Sequence, residues 1–250
     1  MTNQKLSPPD AVRVWRGFRS PALAEPEFFE RLSTVFVPAT VEMQTKIGLD
    51  VYIPTIPGGM TGKPPTVPDE TAILFWNSQQ TYHDGFKTLA VRAYTLTHGA
   101  VYTKQSRADF PLFFEGTMEE NQPYYLVDRP ADWMNGSVNH LVAGSPDGVT
   151  PAEFRKQVAG TVGKIRQIES LQGAVVCVGP NYIVYWELMQ AGSNDESAGG
   201  IPELLKLVTW NVVAVPTPTT LPKGLWDVWP GMDIRPGDSF NMQFQRQSAS

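Results

Sequence analysis

The chain has one cysteine and three histidines among 250 residues. Cys177 lies inside the apolar run Ala174-Val175-Val176-Cys177-Val178, so no disulfide can close within the chain, and a thiolate metal cluster would need more sulfur than it supplies. His83, His98 and His140 show no close metal-ligand spacing such as His-x-x-x-His, and no metal site is expected from them. Also absent are the Gly-x-Gly-x-x-Gly dinucleotide loop, the Walker-type Gly-Lys-Ser/Thr, His-Glu-x-x-His and the Gly-x-Ser-x-Gly elbow. Gly58-Gly59-Met60-Thr61-Gly62-Lys63 is glycine-rich but lacks the phosphate-loop order and runs into Pro64-Pro65, so it reads as a mobile loop or lid. No apolar run approaches the roughly 20 residues that span a bilayer. Met1 to Asp10 lacks the basic stretch and apolar core of a secretory signal, which leads to the expectation of a cytoplasmic protein. A net charge of -5 supplies no general attraction for nucleic acid or an anionic membrane.

Present instead are 42% hydrophobic residues, enough for a substantial core, and periodic segments separated by glycine and proline. Val12 to Phe18 alternates as a strand whose arginines share one face with Trp15. Pro26 opens a helix carrying Phe29, Leu32, Phe36 and Met43, which Pro38 would kink. Leu49 to Ile53 and Thr71 to Trp76 read as strands, and a helix starts near Asn77 or Ser78 and runs towards Thr97. A weakly periodic stretch, Tyr102 to Gly136, holds the fourth strand and an excursion of the kind that often forms a lid or binding loop.

The order then repeats. Ser137 to Ala143 is a strand, and Thr150-Pro151-Ala152-Glu153 opens a helix with the stripe Phe154, Val158, Val162, Ile165 and Ile168. Gly173 to Val178 and Tyr182 to Leu188 are strands, Pro202 to Val208 a short helix, and Val212 to Val215 the last strand. The reading is an α+β protein of two tandem ferredoxin-like β-α-β-β-α-β halves, residues 11-136 and 137-215. Residues 216-250 form a wrapping extension, with Trp226 and Trp229 as anchors and Phe240, Met242 and Phe244 alternating as an added strand.

At Ile73-Leu74-Phe75-Trp76-Asn77-Ser78-Gln79-Gln80-Thr81-Tyr82, a strand ending in tryptophan meets a polar cap and an aromatic-bearing helix. This resembles the dimeric α+β barrel superfamily, in which two ferredoxin-like domains pair through their sheets, sometimes within one chain. The resemblance implies a barrel enclosing a cavity. It also implies one of the family's activities, which include cofactor-free monooxygenases, isomerases and cyclases and haem enzymes such as chlorite dismutases and aldoxime dehydratases. A homodimer is a further possibility for such a chain.

Candidate site residues follow from placement. His140 shares a strand face with Val138 and Val142, and is either a satisfied core residue or a base facing a cavity. His98 follows Tyr94 by four residues, so both can share a helix face. Arg13 and Asn139 are candidates to stabilise an oxyanion beside either histidine, and Trp15, Tyr52, Trp76, Tyr94 and Tyr185 to line an aromatic pocket. The expected function is a cofactor-free lyase, isomerase or cyclase moving a proton on a small hydrophobic or aromatic, oxygen-bearing metabolite. Haem needs one axial side chain and an apolar slot, so a haem enzyme or monooxygenase of the same fold is the alternative. A non-catalytic ligand-binding or assembly protein is the other.

Overall fold

In β1 (Val12–Gly17), alternation turns Arg13 and Trp15 to one face and Val12, Val14 and Arg16 to the other, so only one of the two arginines shares the face of Trp15, against the expectation for both. Antiparallel pairing carries this division across the neighbouring strands. Arg13 stands opposite Leu74 of β3 (Glu70–Trp76), and Leu74 opposite Tyr52 of β2 (Leu49–Thr55). The computed structural model describes residues 12–76, 78–128, 131–134, 136–190, 199–222 and 233–245. Asn77, Trp226, Trp229 and the polar stretch from Ala191 to Ser197 lie outside the described residues.

The first sheet has the order β11-β12-β2-β3-β1-β4, where β4 is Arg107–Asp109, β11 Thr217–Pro222 and β12 Phe240–Gln245. Its inner part, fourth-first-third-second, is the ferredoxin-like arrangement. The first crossover is α1 (Glu25–Arg31), a π-helical turn Leu32–Phe36, and α2 (Val37–Thr45). Pro38 has no N–H for the Thr34 carbonyl, so the helix widens there instead of continuing regularly. The second crossover, expected as one helix, is two: α3 (Gln79–Gly85) and α4 (Leu89–Val101). Ser78 caps α3 through its hydroxyl to the Thr81 N–H, and Thr88 caps α4 through Val91. The break falls where Gly85 abuts Ile47, leaving room for no Cβ, since one would lie 2.6 Å from the isoleucine side chain.

The second sheet has the order β10-β7-β9-β8-β6-β5. Here β5 is Leu112–Phe113, β6 Pro123–Tyr125, β7 Ser137–Gly144, β8 Leu171–Val178, β9 Tyr182–Met189 and β10 Trp210–Ala214. The strands β7 to β10 repeat the fourth-first-third-second order, with α5 (Pro151–Ile165) and α6 (Ile201–Leu205) as crossovers. Thr150 caps α5 by accepting from the Glu153 N–H, as its sequence implies. Phe154, Val158, Val162 and Ile165 of α5 pack with Leu141, Val176 and Ile183 in a closed apolar core.

Each sheet is extended in the same manner at its second strand. An antiparallel strand is added, β12 on β2 and β6 on β8, and then a parallel one, β11 on β12 and β5 on β6. The added strands come from opposite places in the chain. The segment following β4 extends the second sheet, and the segment following β10 extends the first. Both sheets are open, ending at β11 and β4 and at β10 and β5, so neither closes into the expected barrel. The chain divides into two units, one comprising Ala11–Gly59, Pro68–Ala108 and Thr217–Ser250, the other including Met60–Val67 and Asp109–Pro216. No helix among the described residues is long and apolar enough to cross a membrane.

The tail is an integral strand of the first sheet, for Met242 stands opposite Tyr52, and Met242 and Phe244 are buried. Phe244→Ala should lower the unfolding free energy by about 3–5 kcal/mol, read from urea denaturation, whereas an edge cover would lose far less.

Candidate functional site

The first unit is hollow under its helices. On the face where Arg13, Leu74 and Tyr52 form a row, the sheet and its helices leave a cavity of about 420 Å³. That lies within the range of small-molecule sites, roughly 300–1,000 Å³. The strands contribute Arg13, Trp15, Tyr52, Leu74 and Trp76 to its wall. Phe36, Thr40 and Gln44 close it from the π-helical turn and α2, and Tyr94, Thr95, His98 and Gly99 from α4. Tyr82 and Phe86 stand at one side, and the segment from Tyr102 to Ala108 at another. Where the sequence suggests a cavity between two sheets, this one is bounded by a single sheet and its own helices.

One carboxylate ties three of these walls together. Glu70 is fully buried and accepts from Trp15 Nε1 at 2.9 Å, from the Tyr52 hydroxyl at 2.9 Å and from the Tyr102 hydroxyl. Burial pushes its carboxyl above the usual range, and the three donors oppose that rise. Burial and the neighbouring carboxylate raise the Tyr52 and Tyr102 phenols, so both stay protonated and act as donors. Gly17 makes the approach possible, since a Cβ there would lie 2.7 Å from the Tyr102 ring and 2.8 Å from Trp15 Nε1.

Tyr94, His98 and Tyr102 follow one another at four-residue intervals, the first two on one face of α4 and the third at its C-cap. The Tyr94 hydroxyl bonds Thr40 Oγ1 at 2.6 Å and is raised by burial. His98 Nδ1 lies 3.1 Å from the Thr95 carbonyl, which can only accept, so Nδ1 carries the proton and Nε2 the lone pair. The imidazole is ringed by Trp15, Phe36, Tyr94 and Tyr102, with centroids 5.2, 4.9, 5.0 and 6.3 Å away. Burial lowers its pKa below the ordinary 6.5, and Arg13 adds to the effect. The result is a neutral base in an aromatic chamber at physiological pH.

Arg13 donates to the Ala108 carbonyl and places its guanidinium 4.5 Å above the centre of the Tyr82 ring. The segment that carries Ala108 is itself held to the end of β1. The Thr103 N–H donates to the Phe18 carbonyl at 2.8 Å, and the Phe18 N–H to Ser106 Oγ at 2.8 Å.

Arg13, Trp15, Tyr52, Trp76, Tyr94 and His98 of the expected residues therefore meet in one cavity. Asn139, His140 and Tyr185 lie in the other unit. His140 is fully buried and stacked 4.1 Å from Trp186, with Nδ1 2.8 Å from the Tyr185 carbonyl, and burial lowers its pKa to about 3. Asn139 and the Tyr185 hydroxyl donate to Glu187 at 3.4 and 3.0 Å. Sequence reasoning missed Glu70, Tyr102, Thr40 and Gln44. Two of these carry a signal: Glu70 alternates with Leu74 and Trp76 in β3, and Tyr102 continues the Tyr94–His98 spacing. Among the described residues, no three His, Cys, Asp or Glu side chains gather as a metal site.

No family model and no curated protein matches the chain. Among solved structures it is similar to a candidate monooxygenase from Lactobacillus acidophilus NCFM, with 9% identity over 82% of this chain and 91% of that one, at a TM-score of 0.36. A candidate monooxygenase from Fusobacterium nucleatum subsp. nucleatum ATCC 25586 shows 10% identity over 82% and 90%, at 0.38. An anthrone oxidase-like protein shows 11% over 84% and 91%, at 0.33. Likeness of this order carries no functional argument, and the α+β architecture rests on the strand orders described above.

Gly99 tests the cavity, because a Cβ there meets nothing within 4 Å. Gly99→Ala should stabilise α4 by about 0.5–1 kcal/mol. Gly99→Leu should keep the melting temperature at or above wild type while weakening binding of any ligand that occupies the cavity, measured by calorimetry. Glu70 predicts a pH signature. The unfolded carboxyl ionises first while the native one still holds its proton, so stability falls as pH rises from the ordinary carboxylate range through the raised native value. Glu70→Gln should flatten that part of the stability–pH curve.

Proposed function

We propose that the first unit is a small-molecule enzyme site in which His98 removes a proton from a largely apolar, aromatic substrate and Arg13 stabilises the anion formed. The observation that carries this reading is His98 itself: a ring with Nδ1 committed to the Thr95 carbonyl, kept neutral by burial, in a cavity that also contains a guanidinium. His140 is the weaker candidate because its ring is fully enclosed and stacked on Trp186.

The step is abstraction beside a carbonyl. The C–H bond breaks, the proton goes to His98 Nε2, and the electron pair delocalises onto the carbonyl oxygen as an enolate. Arg13 supplies the opposing positive charge from a largely apolar wall, where such an interaction counts for more than in bulk solvent. Returning the proton at another carbon completes an isomerisation, loss of a leaving group completes an elimination, and attack on a second carbonyl closes a ring. In a cofactor-free monooxygenase the same carbanion is oxidised by dioxygen, which is reduced in turn. Haem fits the cavity poorly, for four aromatic rings already crowd the imidazole, an arrangement suited to an organic ring beside His98 rather than a macrocycle across its Nε2. No step is routed through it.

The test is exchange of the acidic proton of an enolisable aromatic ketone in deuterated buffer, followed by NMR with an oxygen electrode in parallel. Exchange without oxygen uptake supports proton-transfer chemistry, and exchange with stoichiometric uptake supports the monooxygenase. His98→Ala, folded by circular dichroism, should lose about 10²–10⁴-fold in rate. Because the base must be unprotonated and its pKa is lowered by burial, the acid limb of the rate profile should fall below pH 6.5. Unchanged exchange in His98→Ala would remove the histidine from the mechanism.

A further inference from the structure

The charges around the cavity identify the kind of molecule it takes. The protein as a whole carries -5, yet the ionisable side chains lining this cavity, tyrosines and the neutral His98 apart, are Arg13, Lys104 and Arg107. No carboxylate lines it among the described residues. Glu70 sits behind Trp15, Tyr52 and Tyr102, and its oxygens accept from those three donors.

The two charges are also separated along the sheet. Arg13 stands opposite Leu74, and Glu70 opposite Gly17, so guanidinium and carboxylate positions are four residues apart along β3. In extended chain that is about 13 Å. The segment from Tyr102 to Ala108 spans the same interval, beginning beside Glu70 and ending where Arg13 donates to Ala108, with Lys104 and Arg107 along it. Arg13 and Arg107 thus stand towards the Ala108 end of the cavity. The other end is walled by neutral hydroxyl and indole donors already committed to Glu70, with the rings of Trp15, Phe36 and His98 between.

We propose that the ligand of this cavity is an aromatic anion, a ring system bearing a carboxylate, bound with its charge towards Arg13 and Arg107 and its rings against Trp15 and Phe36. This rests on the reading of the cavity as a small-molecule site and adds the class of substrate. A flat ring packs against the faces and edges of such aromatic walls, and a carboxylate is the group that a guanidinium fork binds in two places. His98 then faces the ring carbons rather than the acid group.

The experiment compares 2-naphthoate with its neutral isostere 2-naphthamide by calorimetry and by quenching of tryptophan fluorescence, at low and high salt. The acid should bind about 10- to 100-fold tighter than the amide, the worth of a charge-assisted hydrogen bond in place of a neutral one. The preference should shrink in high salt, vanish in Arg13→Met and partly survive in Arg13→Lys. Since Arg13→Met also removes the contact with Tyr82, the double variant Lys104→Gln/Arg107→Gln, changed only at exposed positions, should independently reduce the preference several-fold. Equal binding of acid and amide, both weakened by Gly99→Leu, overturns the anion proposal and leaves the small-molecule site standing. Failure of both probes to bind, or binding of the acid that Gly99→Leu does not weaken, overturns the proposal and counts against the site as well.

Discussion

The buried carboxylate of Glu70 is the constraint on which the first unit's site depends. It accepts from one residue of β1, one of β2 and one at the C-terminal end of α4, so a single group fixes three separate elements at the same end of the cavity. A carboxylate in such a place is costly unless its lone pairs are used, and here three neutral donors use them. The donors are restricted in return. Trp15 and Tyr102 cannot turn away without stranding a buried charge, and Tyr102 can lie across β1 only because residue 17 has no side chain. His98 stands four residues before Tyr102, so the bond that places the tyrosine also sets the last turn of α4 and with it the imidazole.

The second unit shows what the same face looks like when nothing has to enter. Glu187 is buried on its third strand and accepts from Tyr185, Asn139 and the Gly200 N–H, again a raised carboxyl held by neutral donors. The space above it is filled. Phe154 and Val158 of α5, with Leu204 of α6, pack against Leu141, Val176 and Ile183. In the first unit the helix-covered face carries Arg13, Tyr52 and Leu74, and the helix opposite them is interrupted by a π-helical turn that holds Phe36 in the cavity's lining. Two β-α-β-β-α-β passes thus use one plan for different ends, a packed support and a hollow site.

Much of this was legible from the sequence, for identifiable reasons. Alternation in Val12 to Gly17 and Glu70 to Trp76 assigns strand faces, and the α5 stripe with its Thr150 cap is unambiguous, so the repeated element order could be read directly. Arg13, Trp15, Tyr52 and Trp76 could be grouped because strand alternation is local information. The split of α3 from α4 was not visible, since it depends on Gly85 meeting Ile47, a contact between elements distant in sequence. The role of Glu70 is not legible locally, because the donors that make it special come from residues 15, 52 and 102. His140 and His98 looked equivalent from the chain alone. Their difference lies in what surrounds them: Trp186 stacked over a sealed ring in one case, an open cavity in the other.

The exchange of trailing segments gives the fold a further dependence. Tyr52, whose hydroxyl reaches Glu70 and whose ring walls the cavity, pairs with Met242 near the chain's end. The strand carrying the site's floor is therefore an edge unless β12 pairs with it, and closing that contact costs the entropy of a loop of about three quarters of the chain. Pairings of such separation slow folding, because the loop entropy is lost before the contact repays it. The elements from β1 to β4 come from the first 109 residues, whereas β12, which pairs with the strand of Tyr52, comes from residues 240–245. A site that relies on one buried carboxylate thus relies equally on the last strand of the chain.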